Sequence, residues 1–152
     1  MKLLYHGTRY LNLILGSRCL RPATIGDKHV SLTTSKYVAK YWANMSRDDV
    51  FGFGYIITLD RDLLERDGYA LRPFESAWAQ IEEHEVACDK SIVPIGSYVI
   101  RIERLPGSYQ GLEELARSCP EYVKIHYKKL LEAEEGSWNS RLRKNPHRAL
   151  GM

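Results

Sequence analysis

Three short stretches hold side chains whose types and spacing suit chemistry. In "LLYHGTRYL", residues 3–11, an apolar run ends in His6-Gly7-Thr8. A neutral imidazole donates one hydrogen bond and accepts another, and a glycine beside it lets another group come close to the main chain. In the second stretch, Ser31 to Trp42, Tyr37 and Tyr41 stand four apart. On a helix they share a face, where two rings either pack a core or wall a flat heterocycle. Thr33, Thr34 and Ser35 add hydroxyls at the start of that helix. The third stretch, "QIEEHEV" at 80–86, sets Glu83 and Glu85 two apart, on one face if the segment is a strand. They are either an exposed acidic edge or carboxylates within an apolar strand, where burial without a partner is costly. Taken singly, each stretch has an ordinary structural explanation.

The elements that position these residues read as follows. Residues 2–6 form a short strand, and 10–16 a helix with apolar groups at helical spacing, stopped at Gly16. "HVSL" is strand-like, and Lys36 to Met45 is a helix that Ser35 or Thr34 caps. "YIITLD" at 55–60 is a β-branched strand, followed by a short helix or turn that ends at Gly68. "RPFESAWAQIEE" at 72–83 reads equally as helix or ordered loop. Strands are expected at about 84–88 and 97–104, with Pro94-Ile95-Gly96 between them. Beyond Pro106-Gly107 two helical segments are interrupted at Pro120. Strands and helices mix without regular βαβ alternation, so the expected class is α+β. No glycine-rich strand-to-helix phosphate loop is present.

Size and composition bound the reading further. A chain of 152 residues suits a single domain, here a core over 1–105 with a helical extension and basic tail over 106–152. No apolar run is long enough to span a bilayer, and the polar start of the chain does not suit a signal peptide. The expectation is a cytoplasmic protein with no membrane partner. Cys19, Cys88 and Cys119 lie far apart, which suits reduced, partly buried thiols. No cysteine or histidine spacing suggests a metal. The net charge of +3 permits nucleic-acid contact without arguing for it. Basic residues gather in "RLRKNPHR" at 141–148, either a solvated tail or a phosphate-contacting arm.

In order along the chain, "LYHGT", "HVSLTTSKYVAKYWA" and "EEHEVACDKSIVP" resemble the ADP-ribosyltransferase family, over roughly residues 1–104. The run "YHGTRYLNLILGSRCLRP" is also similar to the start of DNA-modifying members. The resemblance implies a split-sheet fold that binds NAD as substrate, in a small toxin- or effector-type enzyme. It implies that Glu85 is the catalytic residue and that His6 hydrogen-bonds a ribose hydroxyl. Gly7 would pair its backbone with the nicotinamide carboxamide, with Thr8 beside it. Tyr41, with Tyr37, would stack on the nicotinamide ring, and Thr33 and Ser35 would support the pocket and orient the glutamate. Glu83 and Arg47 would face the acceptor, a protein side chain or a nucleic-acid base. Two features depart from the pattern: Val30-Ser31-Leu32 carries no aromatic residue, and Glu83-His84-Glu85 is similar to an arginine-specific branch whose first strand begins with Arg, not His. The alternatives are a non-catalytic module that binds NAD or ADP-ribose, and an RNA 2′-phosphotransferase of related fold.

Overall fold

A computed structural model describes residues 1–22, 29–44, 54–74, 84–105 and 109–121, together with 124 and 128. Its elements are β1 (Leu3–Thr8), α1 (Leu11–Ser17), β2 (Val30–Thr33), α2 (Lys36–Asn44), β3 (Tyr55–Asp60), α3 (Arg61–Arg66), β4 (Leu71–Pro73), β5 (Glu85–Cys88), β6 (Val99–Arg104) and α4 (Tyr109–Ser118). A single 3₁₀ turn, Ile95–Ser97, leads into β6. The class is α+β. One antiparallel sheet runs in the order β4-β5-β2-β1-β3-β6.

The local chemistry explains most of these elements. Ile56, Ile57, Thr58 and Leu59 of β3 are fully buried, as suits a β-branched strand covered on both faces. Asp60 caps α3 by accepting from Leu63 N at 3.1 Å, and Ser35 caps α2 by accepting from Val38 N at 3.4 Å. The boundaries expected for the first helix and for the strand at 30–33 differ from those found by about one residue. The first strand is longer than expected, reaching Thr8 because it pairs along its whole length with β3. The stretch read as helix or loop begins instead with β4, a three-residue strand ending in Pro73 at the sheet edge, where a missing N–H is tolerated. Among the described residues no helix is long and apolar enough to cross a membrane.

The sheet separates two packed layers. Leu4, Leu32, Ile57, Leu59, Val86 and Cys88 face one of them, joined by Ile14, Leu20, Leu64, Ile92 and Tyr98. On the opposite face Ala39 and Ala43 of α2 pack with Ile56 and Leu105, and Tyr5 lies against them. Contact here is unusually close. A Cβ on Gly7 would strike the Ala39 carbonyl, and one on Gly54 would strike the Ala43 carbonyl. Two small residues one helical turn apart on α2 thus meet one glycine in β1 and one directly before β3. The close approach anticipated at Gly7 is therefore made, on this face, by the protein's own helix.

Gly7→Ala is expected to lower stability by about 1–3 kcal/mol, because the helix must lift from the strand. Gly16 lies in α1 with open space around it, so Gly16→Ala is expected to be neutral or to stabilise by up to about 1 kcal/mol. Urea unfolding midpoints of the two variants check both.

Candidate functional site

The sheet is divided at β1 and β2. Ladders tie β1 to β3 to β6, the last with a register shift between Thr58 and Leu59, and β2 to β5 to β4. The two halves meet in a register of one pair, Tyr5 with Thr33. The direction of the backbone groups follows from the ladder. Arg61 N donates to Lys2 O at 3.0 Å, and antiparallel pairs alternate between bonded and non-bonded. Leu4, His6 and Thr8 therefore exchange their bonds with β3, and the N–H and C=O of Tyr5 and Gly7 turn toward β2. The next step of the register would set Gly7 opposite Ser31. Instead the His6 ring donates from Nδ1 to the Ser31 carbonyl at 2.8 Å. A side chain has replaced a ladder bond, and the Gly7 backbone points into the opening beside it.

Glu85 lies one strand away. It opens β5 and pairs with Thr33, so Tyr5, Thr33 and Glu85 form one row across three strands, on the α2 face. β5 is internal to the sheet and Glu85 is only 7 % exposed, so this residue is no acidic edge. Hydroxyls fix its backbone. Thr33 Oγ1 donates to His84 O at 3.0 Å and accepts from Ser35 N at 3.0 Å. Thr34 N donates to the same His84 carbonyl at 3.0 Å. The β2–α2 corner is thereby tied to the residue immediately before Glu85. At the outer end of this face, Lys36 pairs with Glu103 at 2.7 Å and draws the Glu103 carboxyl below its usual range.

His6 and Thr8 belong to the other face, by the alternation of the strand. There they line a cleft of about 380 Å³ with Tyr10, Ile14, Ser17 and Arg21 among its walls. Thr8 is buried and its Oγ1 accepts from Tyr10 N at 2.9 Å, which locks the turn into α1. The α1 part of this cleft was not anticipated, since those positions read as one ordinary amphipathic turn. Their common wall is visible only once the chain has folded back at Leu20, which bridges to Ile92.

The two tyrosines part company. Tyr41 is 6 % exposed and edge-on to Trp42 with ring centroids 5.0 Å apart, and burial raises its phenol pKa. Tyr37 is half-buried with the Lys40 ammonium 5.2 Å from its ring centre. They do not form an open two-ring wall, and Tyr37 is the more exposed of the two rings. Arg47 and Glu83, and the segments 45–53 and 141–148, lie outside the described residues. Among the described residues no group of three or more His, Cys, Asp or Glu is placed to hold a metal. No family model matches the chain, and no curated protein sequence matches it.

Burial lowers the His6 pKa from the usual 6.5, and the bond to Ser31 offsets this in part. The unfolded chain then takes up its proton first as the pH falls. Stability is expected to decline as the pH drops below 6.5 toward the lower folded value, and to lose nothing more from this group beneath it. Melting temperatures from pH 7.5 to 5 check this, with His6→Gln flattening the upper part of that decline.

Proposed function

We propose that the protein is an NAD-dependent mono-ADP-ribosyltransferase, with the split-sheet fold of that family. The observation that carries the reading is the gap between β1 and β2. The Gly7 N–H and C=O are turned into it, the His6 ring lies at its edge, and buried Glu85 stands one strand away. A backbone donor and acceptor side by side suit a carboxamide, which needs one of each. The Tyr37 ring at the head of α2 offers a flat surface for the attached heterocycle, and Tyr41 supports it from the core.

In this reaction the bond between nicotinamide and ribose breaks and its electron pair leaves with the nicotinamide, which becomes neutral. The sugar carbon then carries positive charge, as in glycoside hydrolysis. A carboxylate held beneath it stabilises that charge, and does so more strongly in a site shielded from water. Glu85 is that group in this reading. The incoming lone pair of a protein or nucleic-acid acceptor forms the new bond, and its proton passes to Glu85 or to solvent. Thr33 and Ser35 are positioning residues, acting through the His84 carbonyl and the α2 cap. Glu83 and Arg47 are proposed to face the acceptor.

The test is nicotinamide release from NAD, with and without cell lysate as a source of acceptors. Glu85→Gln keeps the shape and removes the charge, and is expected to lower release by roughly 10²–10⁴-fold while NAD still binds. Release that rises with lysate identifies a transferase, and equal release without lysate identifies an NAD glycohydrolase. Binding without release from the unaltered chain would leave a non-catalytic NAD-binding module, and release indifferent to Glu85→Gln would contradict the assignment.

A further inference from the structure

The two edges of the sheet are built differently. β4 is three residues long and ends in Pro73, so its outer side offers little to a further strand. β6 runs for six residues without a proline, and among the described residues no strand pairs with its outer side. Two isoleucines stand exposed on it, Ile100 at 45 % and Ile102 at 37 %.

The ladder fixes which backbone groups of β6 face outward. Leu105 N donates to Gly54 O at 2.8 Å, and the register sets Glu103 opposite Ile56 and Arg101 opposite Thr58. Bonded and non-bonded pairs alternate. Glu103 and Arg101 therefore exchange their bonds with β3, and the N–H and C=O of Ile102 point away from the sheet. The register shift with β3 lies on the Val99 side of Arg101, so the run from Arg101 to Arg104 pairs regularly. Side chains alternate as well. Ile102 shares the face of Ile57 and the larger core, while Arg101 and Glu103 lie on the α2 face, where Glu103 meets Lys36.

An edge of this kind pairs with a second copy of itself about a two-fold axis, outward residues bonding to outward residues. That parity leaves few registers, and charge separates them. An axis at Arg101 sets arginine against arginine, and an axis at Glu103 sets glutamate against glutamate. An axis at Ile102 places Ile102 against its own copy in a bonded pair. It also places each Arg101 opposite the other chain's Glu103, in the non-bonded pairs where side chains approach most closely. Opposite charges then meet twice, and the apolar row through Ile57 and Ile102 continues into the second chain. We propose that β6 is a homodimer interface, pairing antiparallel with β6 of a second copy about Ile102 and joining the two sheets into one. The gap between β1 and β2 lies on the far side of β3, so the inference does not depend on what binds there.

Sedimentation of the full chain over a range of concentrations tests it. A short strand pairing makes a small interface, so reversible dimers with a micromolar dissociation constant are expected. Arg101→Glu and Glu103→Arg each set like charges opposite, and each alone is expected to weaken association roughly tenfold or more. Mixed in equal amounts they restore both opposite-charge pairs, and the mixture is expected to associate. Because Glu103→Arg also removes the contact with Lys36 and can disturb α2, the register is read separately by cross-linking. Ile102→Cys is expected to give a disulfide-linked dimer under mild oxidation, since its two copies would stand about 5.5 Å apart between Cα atoms. Ile100→Cys is expected not to, lying off the axis. A chain that stays monomeric at all concentrations would overturn the inference. So would a dimer indifferent to Arg101→Glu, which would lie on another face, or cross-linking no better at Ile102→Cys than at Ile100→Cys.

Discussion

The hydrogen bond from His6 Nδ1 to the Ser31 carbonyl sits where the sheet would otherwise close. Two three-stranded halves, β1-β3-β6 and β2-β5-β4, share a register of one residue pair, and the His6 ring bridges the next position. Sheets gain stability from continuous pairing, and an opened ladder leaves backbone groups that need other partners. Here one of them, the Ser31 carbonyl, is satisfied by a side chain, while the Gly7 N–H and C=O are turned toward the gap. The opening is thus built into the fold by a particular residue. Its consequences reach the tautomer of His6, the direction of the Gly7 amide and the spacing between β1 and the strand that carries Glu85.

Gly7 serves two demands at once. Its missing Cβ lets the Ala39 carbonyl of α2 settle on one face of β1, and its backbone groups point sideways, toward β2. The packing of α2 is coupled to the site in a second way. The same helix is capped by Ser35 and tied through Thr33 and Thr34 to the His84 carbonyl. A rigid corner therefore stands between the gap and Glu85, and the carboxylate's backbone is held from both the β2 side and, through Phe74 N at 3.1 Å, the β4 side. Under the proposed function, positioning of this kind would cost nothing at the moment of reaction, because the geometry is already formed in the folded state.

Much of this is legible in the sequence, for physical reasons that differ by element. "YIITLD" is recognisable because β-branched residues crowd any other backbone, and α2 because Ser35 is a capping side chain directly before it. Leu71–Pro73 escapes notice because three residues are too few to show a period of two. The spacing of Tyr37 and Tyr41 correctly implies a shared helix, but spacing says nothing of depth, and one ring is core while the other is half-open. The glycine after His6 signals a close approach without saying by what. The answer, a helix carbonyl 32 positions later in the chain, is a tertiary fact. The donor role of the His6 ring is tertiary too, since it depends on which carbonyl of β2 comes to lie beside it.

If the proposed ligand enters by the gap between β1 and β2, the amides that border the gap must respond to it first. The most direct measurement is the backbone amide NMR spectrum of the full chain during titration with NAD. The Gly7 amide is expected to shift most, together with Ser31 and Thr33 across the gap and Glu85 one strand on, while amides at the outer strands β4 and β6 stay in place. Saturable shifts confined to residues away from β1, β2 and the start of β5, or no shifts at millimolar NAD, would contradict it.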